Sequence, residues 1–292
     1  MSTLTVTLIQ TDLHWEDRAA NLAMLEEKIN SISTHTEIVV LPEMFSTGFS
    51  MQPGLFAETM EGETVAWMKR IAAAKKIILT GSLMIKTGQA TSGVAETGQA
   101  TSGVVETGQA TASGQTSFYN RLIWMLPNGE YGIYDKRHLF AYGEEDQHYS
   151  AGNKRLIASV KGWKINLLIC YDLRFPVWAR QQSTDVPEYD VLIYVANWPQ
   201  RRNHAWKTLL QARAIENQSY VIGVNRTGDD GKNIHYHGDS MVIDPLGEVL
   251  YHKEADEDIF TISLQKDKLD DVRSRLPFWK DGDEFKLTGN TE

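Results

Sequence analysis

Short apolar runs alternate with longer stretches in which apolar residues recur every three or four positions, and that alternation limits what this chain can fold into more than any single residue does. Residues 4–10 read as a strand and residues 17–32 as a helix, with Leu22, Leu25, Ile29 and Ile32 on one face. Residues 38–41 are the next strand, 64–74 the next helix and 77–85 the next strand. A βαβαβ series of this kind buries its strands under helices on the outer face. Two hairpins follow, over 118–126 and 130–136 about Pro127-Asn128-Gly129, and over 156–160 and 164–169 about Lys161-Gly162-Trp163. After them come a helix from about Val177, a strand over 191–195 and an amphipathic helix over 204–217. Strands over 220–225, 240–243, 249–252 and 259–264 finish the series, the second and third of these joined by the turn Asp244-Pro245-Leu246-Gly247. Helix–strand pairs followed by hairpins predict an α/β protein of two sheets packed face to face with helices outside. No linker-like shift in composition divides the 292 residues, so one domain over 1–292 with a C-terminal tail from about 276 is expected.

Hydrophobic residues make up 42% of the chain, ample for a core, and the net charge is −9 with a pI near 5.4. That balance offers no basic footprint for nucleic acid or an anionic membrane, which leaves a small molecule as the expected partner. No run approaches about 18 uninterrupted apolar residues, and Met1-Ser2-Thr3-Leu4-Thr5 enters a strand without a basic leader. A single cysteine excludes an internal disulfide. Together these predict a cytoplasmic enzyme. One segment interrupts the pattern: Thr-Gly-Gln-Ala-Thr-Ser-Gly-Val-Ala-Glu at 87–96 recurs at 97–106 with one Ala-to-Val change, and a degenerate third copy fills 107–116. Rich in Gly, Ser, Thr and Gln, it has too little apolar surface for a core of its own and reads as a polar, functionally neutral insert. Its even period also allows a long hairpin.

Three strand ends carry reactive groups. The run Asn166-Leu167-Leu168-Ile169 delivers Cys170 to a sharp exit, Tyr171-Asp172-Leu173-Arg174-Phe175-Pro176, which is how α/β enzymes present a nucleophile. A lone cysteine on an apolar strand is also a common packing residue. The strand over 38–41 ends in Pro42-Glu43, and the hairpin strand over 130–136 ends in Lys136. Each of those charges alone reads equally well as a solvated strand end.

Leu-Pro-Glu-Met-Phe at 41–45, Asp-Lys-Arg-His-Leu-Phe at 135–140 and Cys-Tyr-Asp-Leu-Arg-Phe-Pro at 170–176, in that order, resemble the catalytic blocks of the nitrilase (carbon–nitrogen hydrolase) superfamily. Tyr-Val-Ala-Asn-Trp-Pro at 194–199, Gln-Ala-Arg-Ala-Ile-Glu-Asn-Gln at 211–218 and His-Gly-Asp-Ser at 237–240 are most similar to its bacterial omega-amidase branch. The resemblance spans the chain apart from the repeat. It implies a four-layer αββα sandwich and a homodimer or larger homo-oligomer assembled through helices near 177–182 and 204–217; no cofactor is expected. It further implies hydrolysis of a short 2-oxo dicarboxylic acid monoamide such as 2-oxoglutaramate. Cys170 would be the nucleophile, more reactive than an ordinary thiol if its pKa is lowered, and Glu43 the base; Lys136 and the backbone N–H of Tyr171 would hold the oxyanion. Glu145 matches the family's second glutamate, with Glu144 beside it as a solvated loop charge. The same set of residues serves true nitrilases and carbamoyl hydrolases, and a non-catalytic ligand-binding or redox-sensing protein using Cys170 is the reading from another class.

Around that set, Arg174 is the candidate for the substrate carboxylate, against the alternative that it pairs with Asp172, and Trp198 is a candidate pocket wall. Arg201 and Arg202 read as surface or interface charges, and Asp229 and Asp230 as turn residues. His235 and His237 have the spacing of a metal pair but no third ligand nearby, so a catalytic metal is not expected.

Overall fold

The computed structural model describes residues 2–88, 116–183, 185–285 and 287. Thirteen strands are present among them: β1 (Thr3–Gln10), β2 (Ile38–Val40), β3 (Ile78–Thr87), β4 (Ser117–Met125), β5 (Tyr131–Asp135), β6 (Leu156–Val160), β7 (Trp163–Ile169), β8 (Val191–Ala196), β9 (Tyr220–Asn225), β10 (Thr227–Asp229), β11 (His235–Ile243), β12 (Val249–Glu254) and β13 (Asp258–Gln265). The helices are α1 (Arg18–Asn30), α2 (Pro53–Phe56), α3 (Glu63–Lys75), α4 (Glu145–His148), α5 (Pro176–Ala179), α6 (Asn203–Asn217) and α7 (Lys266–Arg275). One sheet runs β13-β1-β2-β3-β4-β5; the other runs β10-β11-β9-β8-β7-β6, with β12 also on β11. Both are mixed. β1, β2 and β3 are parallel, as are β7, β8 and β9, and every other named pairing is antiparallel.

The period of two in the strands sorts their side chains between layers. Leu4, Val6, Leu8, Ile38, Val40, Leu122 and Trp124 face the second sheet and join residues of β7, β8 and β9 in one buried cluster. Their neighbours Ile9, Val39, Leu41, Leu79, Ile123 and Met125 face outward, onto Leu22, Leu25 and Ile29 of α1 and Val65, Met68 and Ile71 of α3. The N-terminus of α1 is set by Asp17, whose Oδ1 accepts the N–H of Ala20 at 3.0 Å. On the far side Trp206 and Leu210 of α6 press against Gly223 of β9, where a Cβ would stand 2.5 Å from Leu210 and 2.8 Å from Trp206. Helix, sheet, sheet, helix is therefore the layer order, as expected.

Three details depart from the sequence reading. The helix from Val177 is a single turn, because the chain then turns to bind Asn217, whose Oδ1 accepts the N–H of Gln181 at 3.1 Å. The strand over 240–243 begins five residues earlier, interrupted by an irregularity at Gly238–Ser240, where Gly238 and Asp239 both have positive φ. Helix α7 was not expected; most of its residues are charged, yet Leu269, Val272 and Arg273 are buried, the last on Asp190 at 2.9 Å. Most of the ten-residue repeat lies outside the described residues. Its anchors are Thr87 and Ser117, paired directly across β3 and β4.

Candidate active site

Glu43 leaves β2 on a segment stitched to β3: Leu41 N–H donates to Thr80 O at 2.8 Å, Met44 N–H to Ser82 Oγ at 2.9 Å and Phe45 N–H to Ser82 O at 3.1 Å. Gly81 makes room for this exit, since a Cβ there would stand 2.9 Å from Leu41 and 2.8 Å from Phe45. Lys136 leaves β5, with its N–H on Asn120 O at 3.0 Å and its carbonyl accepting the N–H of Gly152 at 2.9 Å. Cys170 leaves β7 with φ of 42°, a left-handed backbone that opens a short 3₁₀ turn over Cys170–Arg174. Asp172 fastens that turn. Its Oδ2 accepts Ile169 N–H at 3.1 Å and Tyr134 O–H at 2.7 Å, while its Oδ1 accepts His138 N–H at 3.0 Å and lies 2.8 Å from His138 Nδ1. Tyr134 and His138 flank Lys136 by two residues on either side, so one carboxylate ties the lysine segment to the cysteine turn.

The three strand ends converge. The Nζ of Lys136 donates to Glu43 Oε1 at 2.8 Å and to Glu145 Oε1 and Oε2 at 3.1 and 2.9 Å, with all three side chains fully buried. Glu145 also accepts Phe140 N–H at 2.7 Å, whereas Glu144 is exposed. Asn120 Nδ2 donates to Glu43 Oε1 at 2.8 Å and Glu145 Oε1 at 3.1 Å. From the other sheet Asn197 donates its N–H to Glu43 Oε2 at 2.8 Å and its Nδ2 to Glu43 O at 2.6 Å; the Sγ of Cys170 lies 3.9 Å from Asn197 O. Burial works against the Lys136 ammonium, but the Glu145 and Glu43 carboxylates outweigh it and raise its pKa, so it holds its charge. Burial, and then the Glu43 charge, push the Cys170 thiol well above the ordinary range, only partly offset by Lys136. The lowered pKa on which enhanced thiol reactivity was conditional is thus not what this burial favours, and a protonated Cys170 needs a base to take its proton at the moment of attack.

Cys170 and Lys136 line a cleft of about 150 Å³. Tyr171 and Trp198 wall it, Tyr171 edge-on to Phe140 with centroids 5.0 Å apart. The Arg174 guanidinium lies over the Trp198 ring at 4.9 Å and not on Asp172, whose oxygens are taken as described. Arg201 and Arg202, read from sequence as surface charges, also line the cleft, because Pro199 starts a 3₁₀ turn over Gln200–Arg202 that folds them back. Arg202 stacks on Phe140 at 5.0 Å, and burial together with Arg201 lowers its pKa. Lys232 adds a fourth cation to the mouth. Asp230, the carboxylate among the lining residues, is occupied by Lys232 N–H and Ile234 N–H at 2.8 and 2.9 Å and by Tyr236 O–H at 3.0 Å, so it lines the cleft as well as closing its turn. His235 and His237 bond separate carboxylates, Asp229 and Asp239. Asp239, His252 and Glu254 approach one another on the outer side of the second sheet, with Lys207 Nζ 3.4 Å from Asp239 in the same cluster.

Asn120, Asn197 and Lys232 are site residues that sequence reasoning gave no role, and Arg201 and Arg202 were read as surface charges. Asn120 follows Phe118 and Tyr119 in β4 and precedes Arg121, so only its burial, which the sequence does not show, marks it as a polar side chain in need of a partner.

This layered fold brings a thiol, a carboxylate and an ammonium together at the ends of two sheets. The family model described as carbon-nitrogen hydrolase matches residues 5–274, and the chain belongs to that family. It is 39% identical over 288 residues to the omega-amidase YafV of Escherichia coli K12, covering 98% of this chain and all of the relative. It is 29% identical to a 2-oxoglutaramate amidase of Bacillus subtilis, covering 95% of this chain and 96% of that one. A crystal structure of a CN-hydrolase superfamily protein from Xanthomonas campestris, bearing an arsenic adduct in its active site, superposes with a TM-score of 0.86 at 38% identity, over 98% of this chain and all of that one. The protein is an amidase of the carbon–nitrogen hydrolase family. No helix among the described residues is long and apolar enough to cross a membrane.

Proposed function

We propose that this amidase is an omega-amidase: it releases ammonia from the terminal amide of a short 2-oxo dicarboxylic acid monoamide through a thioester on Cys170. Full-length similarity to enzymes named omega-amidase and 2-oxoglutaramate amidase supports the substrate class. The observation that carries the reading is the charge of the cleft. Arg174, Arg201, Arg202 and Lys232 line its mouth against one carboxylate that is already engaged, in a protein whose net charge is −9. A substrate with a carboxylate at the end remote from its amide completes that arrangement.

In this mechanism Glu43 takes the Cys170 proton as sulfur attacks the amide carbon. The oxyanion forms between the Lys136 ammonium and the Tyr171 N–H, and Glu145 holds Lys136 in place. Glu43 returns the proton to the leaving nitrogen, ammonia departs, and a thioester remains. Water, deprotonated by Glu43, then attacks the thioester and frees the acid and the thiol. The protonated resting thiol fits this scheme, because attack and proton transfer to Glu43 are coupled.

The test is an ammonia-release screen over 2-oxoglutaramate, uncharged short amides and nitriles. The reading expects kcat/KM for 2-oxoglutaramate to exceed that for an uncharged amide of similar length by at least about a hundredfold, the scale of a desolvated charge pair. Preference for nitriles, or equal use of charged and uncharged amides, overturns it.

A further inference from the structure

We propose that Asn120 is a positioning residue of this site: its carboxamide N–H groups hold Glu43 and Glu145 in place and saturate Oε1 of Glu43, so that Oε2 is the oxygen that exchanges a proton with Cys170. The inference rests on the assignment of Glu43 and Cys170 as base and nucleophile. Its starting point is a hydrogen-bond count. Glu43 Oε1 accepts two donors, Lys136 Nζ and Asn120 Nδ2, both at 2.8 Å, which fills its two lone pairs. Oε2 accepts one, Asn197 N–H at 2.8 Å, and keeps one lone pair.

The orientation of the Asn120 amide is fixed by chemistry. Its Nδ2 has two hydrogens and two carboxylate neighbours, and turning the amide over would set its oxygen against both. Asn120 is fully buried, and its Oδ1 has no hydrogen-bond partner among the described residues, so the side chain gives up an acceptor in order to place both donors on the carboxylates. An aspartate at 120 would add a third carboxylate around one lysine, and an apolar residue would take a donor from each of the two carboxylates. A neutral double donor meets both needs without entering the proton inventory. The titratable groups facing this cluster are Lys136 beyond β5, Cys170 beyond β7, Tyr149 beyond α4 and Tyr236 on β11; burial raises both tyrosines, which keeps them neutral.

Hydrogen bonds to a carboxylate favour its charged form, so removing them makes the carboxylates easier to protonate. Full-length Asn120→Ala and Asn120→Ser, the second retaining a single donor, are compared with wild type for ammonia release from a short amide between pH 4.5 and 9. The expected result for Asn120→Ala is a loss of at least about tenfold in kcat with KM changed by less than about threefold, and an acid limb of kcat/KM displaced upward by about one pH unit. Asn120→Ser is expected to fall between the two in both readouts. Wild-type profiles in both variants overturn the inference, as does a uniform loss at every pH with the acid limb unmoved. Glu43→Gln and Cys170→Ala, run alongside, separate this failure from a failure of the underlying assignment. If those two still turn over, the base and nucleophile are misassigned and Asn120 falls with them; if they are dead and Asn120→Ala is normal, only Asn120 is wrong.

Discussion

In the first sheet the parallel strands β1, β2 and β3 have β13 on one side and the β4–β5 pair on the other; in the second, β7, β8 and β9 stand between β6 and the β11–β12 pair. Glu43 leaves the middle strand of the first trio and Asn197 the middle strand of the second, and the two bond to each other where the sheets meet. From this common plan the sheets contribute opposite things. The first sheet and its loops provide Glu43, Asn120, Lys136 and Glu145, a fully buried cluster in which every charge has a partner. The second provides Cys170 and, beyond its strand ends, Arg174, Arg201, Arg202 and Lys232, whose positive charge the cleft leaves largely unanswered. Buried, paired charge suits chemistry on an uncharged amide, because it is stable without substrate. Unanswered charge at a mouth suits selection, because the substrate itself completes it.

Cys170→Ala breaks the comparison most severely. Ammonia release is expected to fall by at least about a thousandfold while circular dichroism and melting stay near wild type, since removing one sulfur from a small buried side chain costs little. Residual turnover above that level would take the nucleophile away from the second sheet. Next come the first-sheet charges: Lys136→Ala and Glu43→Gln are each expected to cost at least about a hundredfold in kcat. Glu145→Gln should cost less than Glu43→Gln, and Glu144→Ala nothing measurable. An impaired Glu144→Ala with a normal Glu145→Ala would reverse the assignment within that pair.

Arg174→Met sharpens the division of labour. For 2-oxoglutaramate its KM is expected to rise about tenfold or more, with little change for an uncharged amide, the contrast expected of a charge pair with substrate. Equal damage to both substrates would make Arg174 part of the architecture. Smaller again is the removal of residues 87–116. Because β3 and β4 are adjacent antiparallel strands, with Lys86 opposite Phe118, joining Lys86 to Ser117 is expected to leave activity within about twofold and melting within a few degrees, the cost being loop entropy. Ser117 lies three residues before Asn120, so a large loss of kcat with normal melting would show that the insert is not neutral.

The smallest effect concerns how the sheets are tied together. Glu37 accepts Thr5 N–H from the first sheet at 2.7 Å and Lys161 Nζ from the β6–β7 turn of the second at 2.8 Å. Burial would raise its pKa, but Lys161 and the Thr5 N–H hold it down to about 2, from an ordinary 4.5. A depressed carboxyl stabilises the fold above its unfolded pKa, and that contribution disappears as pH falls through the folded value. The melting difference between wild type and Glu37→Gln is therefore expected to be largest above pH 4.5, roughly 1–3 °C for an exposed pair, and to vanish toward pH 2. A difference that grows on acidification would contradict the role given to Glu37.

How far the sequence discloses this arrangement depends on where each interaction lies along the chain. Apolar runs revealed nearly every strand, and the exits after β2, β5 and β7 pointed to Glu43, Lys136 and Cys170 because reactive groups at strand ends are a local pattern. Helix α7 stayed hidden since its burial rests on a few positions among lysines and aspartates. Arg202 was misread because only the folded 3₁₀ turn shows that it doubles back over Phe140. Asn120 meets Glu43 across 77 residues of sequence, and no periodicity marks such a contact. The thiol's raised pKa had the same origin: it comes from burial and a carboxylate on another strand, neither of which the residues around Cys170 contain.

The left-handed backbone at Cys170 also narrows the substitutions through which this enzyme could change. At φ of 42° an unbranched Cβ is tolerated at some cost, whereas a second heavy atom on Cβ meets the flanking backbone. Serine, one nucleotide change away from cysteine, fits the turn as it stands, and glycine relaxes it. Threonine does not fit, although its hydroxyl serves as a nucleophile in other hydrolases. The scaffold is thus open to an exchange of sulfur for oxygen but closed to a threonine enzyme, and a lineage or a designer seeking one would have to rebuild the exit of β7 first.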